Sequence, residues 1–147
     1  VNPVRTDYTM IGVANLAIAR LYQYLLQKEK RSFMLVNALD GYDEISLTGD
    51  AKIFSNDGEQ IYSAEDLEFK NIQPETIYGG NSKEEAAEIF LNILKGNGTE
   101  EQNSVVLANA AMALLNTNKY GNYKNCLAIA NESLIKGKAL QSLQNII

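Results

Sequence analysis

The sequence predicts an α/β fold: half of a mixed sheet, a β-hairpin inserted into it, and a helical C-terminal layer. Three observations carry this. The runs Tyr8-Thr9-Met10-Ile11-Gly12-Val13 and Ser32 to about Ala38 are strand-like and flank a segment of helical periodicity. That order is a βαβ unit, whose crossover should be right-handed. Asn56-Asp57-Gly58, set between Ala51-Lys52-Ile53-Phe54 and Glu59-Gln60-Ile61-Tyr62, is a strong hairpin signal. From Ser82 onward, Ser or Thr followed three residues later by Glu or Gln opens apolar stretches with helix spacing.

Taken in order, the first strand leads to Asn15, a side chain suited to cap a helix. Ala17, Leu21, Tyr24 and Leu25 then fall at i, i+4, i+7 and i+8, one apolar stripe expected to face the sheet. Lys28-Glu29-Lys30-Arg31 supplies cations where a helix C-terminus favours them. Phe33-Met34-Leu35-Val36 is a continuous apolar run, as expected of a buried parallel strand. Residues 64–80 read as irregular, with Pro74 and the Gly79-Gly80 pair. Ser82 with Glu85 forms a capping box for a helix burying Ala86, Ala87, Phe90, Ile93 and Leu94, and Gly96 ends it. Thr99 with Gln102 opens a second helix with Val106, Leu107, Ala110, Ala111, Leu114 and Leu115 inward. Asn122 starts a third, with Leu127, Ala130 and Leu134 on one side, and Gly137 breaks the pattern before the last segment. Ala108, Ala110, Ala111 and Ala113 permit close helix packing. No internal repeat is present.

The 147 residues are 46% hydrophobic and 21% charged, enough for one domain with a true core. No apolar stretch is long enough to span a bilayer, and no signal core follows the N-terminus, so a cytoplasmic protein is expected. Histidine is absent, which removes His-based acid/base chemistry and His-ligated zinc. The single cysteine, Cys126, rules out internal disulfides and reads as a small buried hydrophobe. The net charge of -5 is uneven: residues 1–39 and 103–147 each carry +3, and residues 40–102 carry -11. Neither basic segment is dense or interleaved with exposed aromatics, so no nucleic-acid footprint is expected.

The candidate chemistry sits in Asp40-Gly41-Tyr42-Asp43-Glu44-Ile45-Ser46-Leu47-Thr48-Gly49. Asp43 and Glu44 are adjacent carboxylates just beyond a strand end, where open α/β sheets bind ligands. Mg²⁺ takes one or two carboxylates together with phosphate oxygens and water. A solvated acidic turn is the other reading, and spacing alone favours it. Gly79-Gly80 before a capped helix invites an anion, but Glu84 and Glu85 would repel one, and a flexible turn is the better reading. Tyr42 and Tyr78 have the shape to stack on a ligand ring, with packing favoured for both.

These residues carry a resemblance. Leu39 to Gly49, LDGYDEISLTG, closely matches the LDGLDEISLTG motif of the anthranilate phosphoribosyltransferases. Asn2-Pro3 with Arg5 resembles their NPxRP segment, and Ile11-Gly12-Val13 the strand after it. Tyr78-Gly79-Gly80-Asn81 is similar to RGGD, Val105 to Ala111 to LLNAAAAL, and Ser133 to Leu140 to AIDSGKAL. The resemblance covers essentially this whole chain but only the family's C-terminal part. It implies the nucleoside phosphorylase/phosphoribosyltransferase catalytic-domain fold. It also implies transfer of a phosphoribosyl group from 5-phosphoribosyl pyrophosphate to anthranilate in tryptophan biosynthesis, with Asp43 and Glu44 as ligands of Mg²⁺ on the pyrophosphate. Asp50, Asn37 and Thr6 depart from residues usual in the family (proline, histidine and proline).

The family's GTGGD phosphate loop, KHGN motif and anthranilate-contacting arginine lie upstream of the matched part. So does its N-terminal helical domain, which implies a homodimer for the full-length protein. The expectation is a C-terminal fragment carrying one wall of the active site and inactive alone, with no nucleic-acid or membrane partner. No catalytic acid or base is assigned within this chain. A pyrimidine nucleoside phosphorylase-like enzyme and a non-catalytic binding module are the alternatives.

Overall fold

The structure is a computed structural model, and it describes residues 6–29 and 32–146. Asn2, Pro3, Arg5, Lys30 and Arg31, used above, lie outside the described residues. A four-stranded mixed sheet runs in the order β1 (Tyr8–Gly12), β2 (Ser32–Ala38), β3 (Ala51–Ser55), β4 (Gly58–Tyr62). β1 and β2 are parallel, with Gly12 opposite Val36; β2–β3 and β3–β4 are antiparallel. The parallel pair is joined through α1 (Leu16–Leu26), as the βαβ reading requires. The hairpin is tighter than expected: Ser55 pairs with Gly58, so Asn56 and Asp57 alone form the turn, and Gly58 takes a φ of +123° that favours glycine.

β2 is the centre of the molecule, and all its residues after Ser32 are buried. Successive strand side chains point to opposite faces, so β2 feeds two cores. Met34 and Val36 join Ile45, Leu47, Ile53, Leu67 and Met112 on one face. Phe33 and Leu35 join Val13, Ala19 and Phe54 on the other. This is why the strand reads as a continuous apolar run rather than an alternating one.

α1 covers the Phe33 face, but in a different phase from the one expected. Leu16, Ala19 and Leu26 pack inward, while Leu21, Tyr24 and Leu25 are 58%, 62% and 53% exposed and Ala17 is exposed too. Asn15 caps the helix as read, its Oδ1 accepting from the Ile18 N–H at 3.0 Å. The helix is apolar on more than one face, so periodicity names residues that share a stripe without choosing which stripe is inner. The small Ala19 lets the helix sit close over Phe33 and Phe54. α1 ends with Gln27 as its C-cap, and Lys28 lies 4.4 Å from the centre of the Tyr24 ring, an outward cation–π contact.

The C-terminal layer is α2 (Lys83–Leu94), α3 (Glu100–Asn116), α4 (Tyr123–Ile135) and α5 (Lys138–Gln144). A short 3-10 helix, Pro74–Ile77, precedes it in the otherwise irregular 64–80 region. α3 has the full reciprocal capping box between Thr99 and Gln102. In α2 only half of the box forms. Ser82 Oγ accepts from the Glu85 N–H at 3.1 Å, but the Glu85 carboxylate accepts from Asn81 N rather than from Ser82. The end of α2 is as read: Gly96 has a φ of +78°, and Asn97 N–H donates to the Asn92 carbonyl at 2.8 Å, a Schellman close.

The inward residues of α2 and α3 also differ from expectation. In α2 only Ile93 is buried, Leu94 is half-buried, and Ala86, Ala87 and Phe90 are exposed. The helix packs against α5. In α3 the fully buried positions are Ala108, Ala111, Met112 and Asn116, and Val106 faces outward. This helix serves the sheet, α4 and the short 3-10 helix, which spreads its buried face beyond a single stripe. In α4, Ala130 and Leu134 are buried as expected, with Cys126 beside them and Leu127 half-buried. Cys126 has no exposed surface, and burial pushes its thiol pKa up, consistent with packing rather than nucleophilicity. Gly137, with a φ of +68°, separates α4 from α5.

Candidate functional site

β1 ends at Gly12 opposite Val36, two residues before β2 does, and the turn carrying Asp43 and Glu44 lies against that end. The backbone of β2 runs straight into it: Leu39 N–H donates to the Asp50 carbonyl at 2.8 Å and Ala38 N–H to the Tyr42 carbonyl at 3.0 Å. Residues 39–50 thus form a loop closed at its base, compact in the manner of an Ω-loop. Ile45, Ser46 and Leu47 are buried, whereas Tyr42, Asp43 and Glu44 are exposed. Apolar anchors on the C-terminal side therefore hold a turn whose acids face solvent.

Four contacts fix its shape. Gly12, the last residue of β1, lies against Asp43: a Cβ there would sit 1.8 Å from the Asp43 carbonyl oxygen and 2.9 Å from its carbon. Only glycine admits that approach. Asp40 accepts from Ser46 Oγ at 3.3 Å and from Thr48 Oγ1, tying the start of the loop to its far limb. Ile72 N–H donates to the Leu47 carbonyl at 3.0 Å. Asn109 of α3 grips the main chain of Ile45: its Oδ1 accepts from Ile45 N–H at 3.0 Å and its Nδ2 donates to the Ile45 carbonyl at 2.8 Å. Leu47 has a φ of +60°, a left-handed conformation that is costly for leucine. Its burial among Met34, Val36 and Met112 holds it there.

The site residues named from the sequence are thus together, adjacent and accessible. Among the described residues no group of three or more His, Cys, Asp or Glu side chains converges. Two hard carboxylate oxygen donors suit Mg²⁺ that keeps waters and takes further oxygens from a phosphorylated substrate, and they are too few for a cage built from protein alone. That donor set fits the metal implied by the resemblance.

Gly79-Gly80 is no anion cradle here, since the Glu85 carboxylate already occupies the Asn81 N–H. Tyr42 and Tyr78 are not packed in a core as favoured from the sequence. Tyr78 is 58% exposed, and its hydroxyl donates to Asn81 Oδ1 at 2.6 Å. Asn37, at a family histidine position, is buried, and its Nδ2 donates to the Val13 carbonyl at 2.8 Å, bridging the two parallel strands just below the turn. Gly12, Asp40 and Asn109 carry structural roles that periodicity and motif spacing do not reveal.

Residues 1–140 match the family model described as "Glycosyl transferase family, a/b domain". The chain belongs to this glycosyl transferase family. Among curated proteins, members named anthranilate phosphoribosyltransferase from Bacteroides thetaiotaomicron and Flavobacterium johnsoniae are each 44% identical, over 100% and 99% of this chain and 44% of their own lengths. The chain thus spans less than half the length of these relatives. Solved structures share its fold. The Saccharomyces cerevisiae anthranilate phosphoribosyltransferase in complex with PRPP and Mg superposes with a TM-score of 0.82 at 19% identity, over 94% of this chain and 40% of that one. The Thermus thermophilus enzyme gives 0.80 at 24% identity, over 91% and 40%. The α/β architecture and the resemblance read from the sequence are both borne out. No helix among the described residues is long and apolar enough to cross a membrane.

Proposed function

We propose that this chain is the C-terminal part of the catalytic domain of an anthranilate phosphoribosyltransferase of tryptophan biosynthesis. The whole protein would transfer a phosphoribosyl group from 5-phosphoribosyl pyrophosphate to anthranilate. The observation that carries the reading is the pair Asp43 and Glu44, exposed on a rigidly held turn beyond the ends of β1 and β2, inside the segment that most closely matches the family motif.

In this reaction the anthranilate amine nitrogen bonds to the ribose anomeric carbon. The bond from that carbon to pyrophosphate breaks, pyrophosphate leaves with the electron pair, and the amine loses a proton. Negative charge grows on the leaving group. Mg²⁺, when bound, supplies electrostatic stabilisation of the pyrophosphate. Asp43 and Glu44 would hold that cation, and the contacts of Gly12, Asp40 and Asn109 would keep the two carboxylates in place. The remaining phosphate contacts and the anthranilate pocket belong to the rest of the protein, which would work as a homodimer in the cytoplasm.

The test is an assay of the whole protein with anthranilate and 5-phosphoribosyl pyrophosphate. Magnesium-dependent formation of N-(5-phosphoribosyl)anthranilate is expected, with no phosphorolysis of pyrimidine nucleosides. The isolated 147-residue chain is expected to be inactive in the same assay. Nucleoside cleavage without phosphoribosyl transfer, or full activity of the isolated chain, would contradict the proposal.

A further inference from the structure

We infer that Asn109 is a positioning residue for the acidic turn, an inference that rests on the magnesium reading of Asp43 and Glu44. The N–H of Ile45 belongs to the peptide unit that begins at the Glu44 carbonyl carbon. Fixing that N–H fixes the plane of the Glu44–Ile45 peptide, and with it the direction in which the Glu44 backbone presents its side chain. Asn109 holds that N–H and also the carbonyl of the next peptide, so it brackets Ile45 on both sides. Its Oδ1 accepts from Ile45 N–H at 3.0 Å, while Nδ2 donates to the Ile45 carbonyl at 2.8 Å and to the Val105 carbonyl at 2.9 Å. The third bond, back to the preceding turn of α3, locks the rotamer, so the amide is a rigid bracket rather than an adaptable one.

Only an amide does this. The pairing needs an acceptor and a donor in one plane at strand-like spacing, which a carboxylate, a hydroxyl or an alkyl group cannot supply. The same helix carries a useful contrast. Asn116, two turns further along, donates from Nδ2 to the Thr9 carbonyl at 3.0 Å, tethering α3 to β1 without touching the turn. Asn109 and Asn116 therefore separate a role in holding the acids from a role in holding the fold.

The test is the magnesium dependence of phosphoribosyl transfer by the whole protein carrying Asn109→Ala, with Asn116→Ala as the control. Loss of an outer partner of a metal ligand is expected to raise the half-saturating magnesium concentration by about tenfold or more in Asn109→Ala. In Asn116→Ala it is expected to stay within about twofold of the parent, as distant sites behave independently. Equal shifts in the two variants, or no shift in Asn109→Ala, overturn the inference. Where Asn109→Ala fails to fold, Asn109→Asp keeps the shape and the acceptor for Ile45 N–H but loses the donor to its carbonyl. A rise of about threefold or more is then expected, and an unchanged value overturns the inference. Asp43→Asn and Glu44→Gln run alongside. If they raise the half-saturating magnesium concentration and the Asn109 variants keep the parent value, Asn109 is not the bracket. If they too behave as the parent, the metal reading itself has failed.

Discussion

Asp43→Asn and Glu44→Gln, each made in the whole protein, are expected to lower kcat/KM for phosphoribosyl transfer by about 10²–10³, the usual loss when one charge-stabilising group is removed from a transition state. Excess magnesium should recover part of the activity in each single variant, because the other carboxylate still offers an oxygen, and none in the double variant. Stability should scarcely change. Both side chains are exposed, and surface substitutions of this kind shift unfolding by about 0.5 kcal/mol or less. A steady-state magnesium titration beside a thermal melt separates the two effects. Wild-type kcat/KM in both variants would remove these residues from the metal site.

Gly12→Ala should have the second largest effect, and by a different route. The added methyl would lie 1.8 Å from the Asp43 carbonyl oxygen, so the end of β1 or the acidic turn must move. Such forced shifts in packed structure cost about 1–3 kcal/mol, and a displacement of about 1 Å in a catalytic group can cost about 10² in rate. The expected outcome is a folded but less stable protein, read by chemical denaturation, whose transfer rate falls further than its folded fraction. Unchanged stability and rate would mean that the strand end and the turn do not meet as described.

Much of this arrangement is legible in the sequence. The βαβ unit, the hairpin, four helix N-caps and the acidic turn follow from local chemistry: apolar runs, an Asn-Asp-Gly turn, Ser, Thr and Asn caps, a dipeptide of acids. What is not legible is mutual orientation. Leu21, Tyr24 and Leu25 share a stripe, but nothing local says that Ala19 on another face meets Phe33. Phe90 has the right spacing for burial, but Ile93 is the residue of α2 that is buried. The site shows the same division. Asp43 and Glu44 are visible because the proposed chemistry is in their own side chains. Gly12 and Asn109 are not, because their importance lies in what stands opposite them in space, 31 and 64 residues away along the chain.

In the proposed enzyme the turn from Asp40 to Thr48 receives magnesium and the pyrophosphate of the substrate. Amide hydrogen exchange on the whole protein tests it most directly. Mg²⁺ together with 5-phosphoribosyl pyrophosphate should slow exchange at the exposed amides of Tyr42, Asp43 and Glu44, and the substrate in the presence of a chelator should not. Unchanged exchange at these amides, in protein that is turning over substrate at saturation, would contradict it.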